Sequence, residues 1–229
     1  MNDFSGRGAP GDPRGRPVLY KGWYLLRLLL IRHGSTLDNE QERFTGQADV
    51  PLSPLGERQV AMLGERLANE PLDIIVTSDL QRARATGAAI AHYHQIPVYE
   101  DAAIREISLG AWEGVTLAEL LERDTEAITR WQNEPLNGGP PGGETLTQLR
   151  ERVIRALEFW YANYPDSTVI WVTHGGVIRV LLCHLLNVDL NSWGRFKREN
   201  ASITEVRLGQ TAGGSICLVE GPRTTTLNM

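Results

Sequence analysis

The chain has 229 residues, of which 41% are hydrophobic and 22% charged. That is enough for one α/β domain with a sizeable core. A net charge of −5 excludes a basic field for nucleic acid or an anionic membrane surface. The two cysteines, Cys183 and Cys217, lie in apolar contexts without CxxC spacing and read as buried thiols of a reducing, cytoplasmic setting.

Residues 1–22 are rich in Gly, Pro and Arg and carry too few apolar side chains to join a core. They read as a disordered N-terminal extension without a secretory h-region, ahead of a single domain over 23–229. The apolar run from Leu25 to Ile31 is too short to span a bilayer.

Leu28-Leu29-Leu30-Ile31 reads as a strand buried on both faces, as in a parallel sheet, and it stops at Arg32-His33-Gly34. In open α/β sheets the carboxyl end of a strand borders the ligand crevice. Arg32 offers a rigid fork of donors for a phosphate, His33 a neutral nucleophile near pH 7, and Gly34 a close backbone approach to an anion. The bland alternative is an Arg-His pair that only ends a strand.

A short helix and loop follow over 35–47, holding Asn39, and Thr45-Gly46-Gln47-Ala48-Asp49 comes next. Ser53 and Pro54 fit the N-cap and first position of a helix that buries Val60, Leu63 and Leu67. Leu72 to Thr77 is a second strand, and Ser78-x-x-Gln81 reads as a capping box for the next helix. Arg82 and Arg84 fall in the first turns of that helix, where the dipole disfavours cations. A bound anion would compensate Arg82, while Arg84 reads as solvated.

Ile96 to Tyr99 is a short strand. In the loop around Glu106, apolar neighbours flank a single acid; burial there disfavours a charged carboxylate and suits Glu106 to donate a proton. Pairing with Arg105 is the alternative role for Glu106, and Glu113 is a second candidate acid. Thr116-x-x-Glu119 and Thr145-x-x-Gln148 are further capping boxes, with a Pro/Gly-rich segment over 133–143 between them that fits a lid. The helix after Glu144 buries Leu146, Leu149, Val153, Leu157 and Trp160. Thr168 to Thr173 is another buried strand, and it too ends in a histidine followed by glycine, His174-Gly175-Gly176. Two such histidines point to one crevice. His184 reads as helix packing, and His92 and His94 as surface residues without a third metal ligand. Ser202 to Leu208 and Ser215 to Val219 read as a closing hairpin.

The ordered set Leu30-Ile31-Arg32-His33-Gly34-Ser35-Thr36-x-x-Asn39, Thr45-Gly46-x-x-Asp49, Pro51-Leu52-Ser53-x-x-Gly56, Ser78-x-x-x-Arg82-Ala83-x-x-Thr86, Glu106 before Leu109-Gly110-x-Trp112-Glu113-Gly114, Pro141-Gly142-Gly143-Glu144 and Thr173-His174-Gly175-Gly176-Val177-Ile178-Arg179 resembles the histidine phosphatase superfamily, phosphoglycerate mutase-like branch. The resemblance implies a three-layer α/β/α fold with a mostly parallel central sheet. It implies a metal-independent phosphomonoesterase that hydrolyses a small phosphate ester through a phosphohistidine at His33. Arg32, Arg82 and His174 would hold the phosphoryl oxygens, with Asn39, Thr45 and Gly46 at the substrate, and Glu106 would carry the proton. No metal and no organic cofactor is implied; nucleic acid and membrane are not expected partners, and a homodimer is left open.

Within the superfamily, Leu109-Gly110-Ala111-Trp112-Glu113-Gly114 looks most like the broad-specificity and α-ribazole phosphatases. A cofactor-dependent phosphoglycerate mutase is the runner-up, disfavoured because only Arg123 and Arg130 supply cations between Glu106 and the Pro141-Gly142-Gly143-Glu144 segment. A silent phospho-ligand binding module would not need both a nucleophile and a proton donor. A nucleotide-binding Rossmann protein lacks support, since no GxGxxG follows the first strand.

Overall fold

The computed structural model describes residues 25–210 and 214–226. The extension over 1–22 and the tip of the closing hairpin lie outside the described residues. Six strands form one sheet in the order β3-β2-β4-β1-β5-β6. They are β1 (Leu26–Arg32), β2 (Ile74–Thr77), β3 (Val98–Glu100), β4 (Thr168–Thr173), β5 (Ile203–Gln210) and β6 (Ile216–Thr225). β1 to β4 run parallel, β5 pairs antiparallel with β1, and β6 pairs antiparallel with β5 at the edge.

The alternation of side chains along each strand builds the two flanking layers. Leu26, Leu28 and Leu30 of β1, with Val169 and Trp171 of β4, share one core with α6 (Leu146–Asn163) and α7 (Gly175–Leu185). Leu29, Ile31, Ile170 and Val172 point the other way, into a core with α2 (Pro54–Leu67) and α3 (Gln81–Ala91). Burial on both faces is why these strands read as continuous apolar runs instead of alternating ones. The fold is therefore α/β with three layers.

Ser53 caps α2 with its hydroxyl on the Gly56 N–H, and Pro54 opens the helix. Thr116 and Thr145 form the expected capping boxes of α4 (Leu117–Arg123) and α6. Ser78 does not form one. α3 starts after Leu80 without a side-chain cap of its own, and its Gln81 N–H donates instead to Asp49 Oδ1 at 2.7 Å. A carboxylate from a distant loop thus replaces the local cap and adds the negative charge that a helix N-terminus favours. An unforeseen capping box, Thr36 with Asn39, opens the four-residue α1 (Leu37–Glu40). His184 lies on the exposed face of α7, not in its packing, while Cys183 is buried and Cys217 half-buried, both as free thiols.

Sheet order places the site. β1 and β4 are adjacent, with Arg32 paired to Thr173, so His33 and His174 emerge side by side. The chain leaving β1 reaches α2 on one face of the sheet, whereas β4 leads into α7 on the other. Between such divergent neighbours a crevice opens at the carboxyl ends of the strands.

Candidate active site

His33 and His174 have ring centroids 5.0 Å apart and are 4% and 0% exposed. His33 Nδ1 lies 2.7 Å from the Gly34 carbonyl oxygen. A carbonyl only accepts, so Nδ1 carries the proton and Nε2 presents its lone pair to the crevice. Burial, then the Arg82 and Arg32 guanidinium charges, push the His33 pKa well below the usual imidazole value. At neutral pH the ring is uncharged. His174 is shifted the same way, by burial and then by Arg82, His33 and Arg32.

Arg82 is 1% exposed in the first turn of α3. Its Nε donates to His33 Nε2 at 3.3 Å, and its two terminal nitrogens donate to the Ala48 and Gly46 carbonyls at 2.7 and 2.8 Å. Those carbonyls offset part of the misfit of a cation at a helix start. Arg84 is half exposed and pairs loosely with Glu100, as a solvated residue does. Arg32 donates from Nη1 to the Arg198 carbonyl at 2.6 Å, and its buried Nε has no partner among the described residues. Burial, only partly offset by Glu106, lowers its pKa to about 10.

His174 Nε2 lies 2.9 Å from Ser78 Oγ, and its buried Nδ1 has no partner among the described residues. Arg32 Nε and His174 Nδ1 are thus two buried nitrogens beside His33 whose hydrogen-bonding capacity the fold leaves unused. Buried polar atoms left without a partner are uncommon in folded proteins, and these two lie together at the carboxyl ends of β1 and β4. Thr45 Oγ1 is a third such atom in the same region.

Glu106 is half-buried and reaches α7 from the opposite wall. Both its carboxylate oxygens accept from the Gly176 N–H at 3.1 Å. A Cβ at Gly176 would lie 2.2 Å from Glu106 Oε1, so only glycine admits the acid there. Glu106 Oε2 and the Arg32 guanidinium both lie within 4 Å of where a Gly175 Cβ would sit, which places acid and arginine on one side of the crevice. The environment is not an apolar sheath: the carboxylate accepts from the Ile107 and Gly176 N–H groups and lies in the field of the Arg32 and Arg82 charges. Nor does Arg105 pair with Glu106: it binds Asp79, at 2.6 Å from Nε.

Glu113, the second candidate acid, is a brace. Its Oε1 accepts from Gln47 N at 2.9 Å and from Leu109 N at 3.0 Å. Asn39 uses its Oδ1 to accept from Thr36 N and Asn200 Nδ2. The Gly46 carbonyl is already engaged by Arg82. Gly34 serves packing more than anion approach: its N–H donates to Thr86 Oγ1, and a Cβ there would lie 2.6 Å from Val60 Cγ1.

The structure therefore gathers Arg32, His33, Arg82, Glu106 and His174 around one crevice. It adds three residues that sequence reasoning did not single out for the site. Ser78 orients His174, Asn200 donates to the His33 carbonyl at 3.0 Å, and Thr86 bonds both Gly34 and the Arg82 carbonyl. For Ser78 and Thr86, their place in the Ser78-x-x-x-Arg82-Ala83-x-x-Thr86 motif was the available signal; Asn200 offered none.

Residues 28–216 match the histidine phosphatase superfamily (branch 1). Phosphoserine phosphatase 1 of Hydrogenobacter thermophilus is 33% identical over 184 residues, covering 80% of this chain and 87% of that protein. A probable phosphoglycerate mutase of Klebsiella pneumoniae is 33% identical over 191 residues, covering 82% and 87%. Among solved structures, mycobacterial glucosyl-3-phosphoglycerate phosphatase in complex with VO3 superposes with a TM-score of 0.75 at 30% identity, covering 88% of this chain and 98% of that one. The chain belongs to the histidine phosphatase superfamily. It is a phosphoric monoester hydrolase.

Proposed function

We propose that the enzyme hydrolyses a small phosphorylated metabolite through a covalent phosphohistidine at His33, without a metal ion. One observation carries this reading: the unprotonated Nε2 of His33, met by Arg82 Nε only at a long 3.3 Å, stands among cationic and imidazole donors. The lone pair forms the N–P bond as the ester P–O bond breaks. Glu106, in its acid form, gives the departing alkoxide a proton. The resulting carboxylate then takes a proton from water as the water oxygen attacks phosphorus, the N–P bond breaks, and neutral His33 and phosphate are regenerated. Arg32, Arg82 and His174 hold the phosphoryl oxygens, whose charge dominates the barrier to transfer. Asn39, Thr45 and Gly46 border the rest of the substrate.

Relatives named for phosphoserine, glucosyl-3-phosphoglycerate and phosphoglycerate support a small metabolite as substrate. The acidic chain disfavours nucleic acid as a partner, and two free thiols fit the cytoplasm. Among the described residues, no helix is long and apolar enough to cross a membrane.

The test is to quench the enzyme with labelled substrate in the presence of EDTA. An acid-labile, base-stable phosphoprotein that His33→Ala cannot form is expected. Label on a serine or aspartate, or loss of labelling with EDTA, would overturn the reading.

A further inference from the structure

Arg152, on the second turn of α6, is absent from the mechanism above, yet its guanidinium is fully engaged. Nε donates to Glu144 Oε1 at 2.7 Å and Nη2 to Glu144 Oε2 at 2.8 Å. The remaining three N–H groups donate to backbone carbonyls: Nη1 to Ala103 at 2.9 Å and Arg105 at 2.7 Å, and Nη2 to Glu106 at 2.8 Å. All five donors of the fork are used, three of them on the four residues that end at Glu106.

We infer that Arg152, clamped by Glu144, is the positioning residue that sets Glu106 for proton transfer; this rests on the proposed role of Glu106. The pair is largely buried, with side-chain exposures of 16% and 14%, so neither charge is solvated if its partner is lost. Its base is rigid. Thr145 and Gln148 cap the start of α6, and Glu144 N donates to the Ser108 carbonyl at 2.8 Å. Ala111 N donates to the Pro141 carbonyl at 3.0 Å, so the 140–144 segment is knitted to the acid's loop instead of standing free as a lid.

The Glu106 carbonyl also accepts from Gln47 Nε2 at 2.9 Å, and its carboxylate from Gly176 N. The residue is thus held at both ends, by α6 behind and α7 in front. Such support matters because a proton donor displaced by about 1 Å costs on the order of 10²-fold in rate. A lysine cannot replace the fork, since one ammonium offers three donors from a single point.

The experiment measures single-turnover phosphorylation of His33 by glycerol 2-phosphate, whose leaving group needs a proton, and by p-nitrophenyl phosphate, whose leaving group does not. Arg152→Met should slow the alkyl ester about hundredfold, at the low end of what general acid catalysis contributes. It should slow the aryl ester less than about threefold, and Arg152→Lys should fall between it and the parent. The double variant Glu106→Gln/Arg152→Met should be no slower on the alkyl ester than Glu106→Gln alone, since both act through one proton. Glu144→Gln, nearly isosteric, should give the same selective loss and guards against collapse of the fold in Arg152→Met. Equal slowing of both esters, or multiplicative losses in the double variant, would overturn the positioning role while leaving the phosphohistidine reading intact. A parent enzyme that phosphorylates His33 with neither ester would overturn both.

Discussion

Arg82 Nε donates to His33 Nε2 at 3.3 Å, while the same guanidinium holds the carbonyls of Gly46 and Ala48. Burial, reinforced by the Arg82 and Arg32 cations, keeps that nitrogen unprotonated, and the carbonyl contacts fix the orientation of the Arg82 fork beside it.

Arg82→Lys retains the charge and loses that geometry. kcat/KM should fall about 10²-fold or more on every ester, a scale comparable to removing one preorganised donor from an oxyanion site. A steady-state comparison with the parent checks this. Near-parental turnover would mean that charge alone suffices.

Burial and the neighbouring arginines depress the pKa values of both His33 and His174 below the ordinary imidazole value of 6.5. Below pH 6.5 the unfolded chain binds protons that the folded one refuses, so stability falls as the pH drops from 6.5. The slope should approach about 1.4 kcal/mol per pH unit for each histidine. Urea titrations at pH 7.5, 6.5 and 5.5 measure it. His33→Gln should reduce the slope by about one proton; an unchanged slope would place the depressed group elsewhere.

Ser78→Ala removes the hydroxyl at 2.9 Å from His174 Nε2. The loss of one net hydrogen bond, about 0.5–1.5 kcal/mol, should lower kcat/KM about three- to tenfold on alkyl and aryl esters alike. Parallel kinetics on both esters check this. A loss confined to alkyl esters would tie Ser78 to the leaving group instead.

Phosphatase and mutase share the phosphohistidine and differ in what attacks it. A mutase retains a second phosphorylated ligand, which calls for free cations opposite His33. Between Glu106 and Glu144, Arg130 pairs with Glu126 at 2.7 Å, and Arg123 donates to the Ala111 carbonyl at 3.1 Å. 3-Phosphoglycerate supplied with 2,3-bisphosphoglycerate should therefore yield free phosphate and little 2-phosphoglycerate, as followed by phosphorus NMR. Interconversion of the monophosphates faster than phosphate release would make the enzyme a mutase.

Local pattern by itself determined much of this protein. The apolar runs of β1 and β4, each closing on a histidine, the caps at Ser53, Thr116 and Thr145, and the buried stripe of α6 are all short-range features. Their physics acts within a turn of helix or along one strand, so the order of residues specifies them. Arg82 was legible for the same reason, as a cation at a helix start that disfavours it.

Only the tertiary structure decided which groups face one another. His174 meets Ser78 across 96 positions of chain, and Asn200 meets His33 across 167. Ser78 reads as a helix cap because its neighbours in sequence allow it. The sheet instead pairs β2 with β4 and brings His174 to its hydroxyl, while Asp49 takes over the helix start. The same holds for Glu106, whose flanking residues suggested an apolar sheath. The packing of α6 and α7 around its loop supplies backbone donors and the Arg152 fork instead, and strand order and helix placement set those contacts.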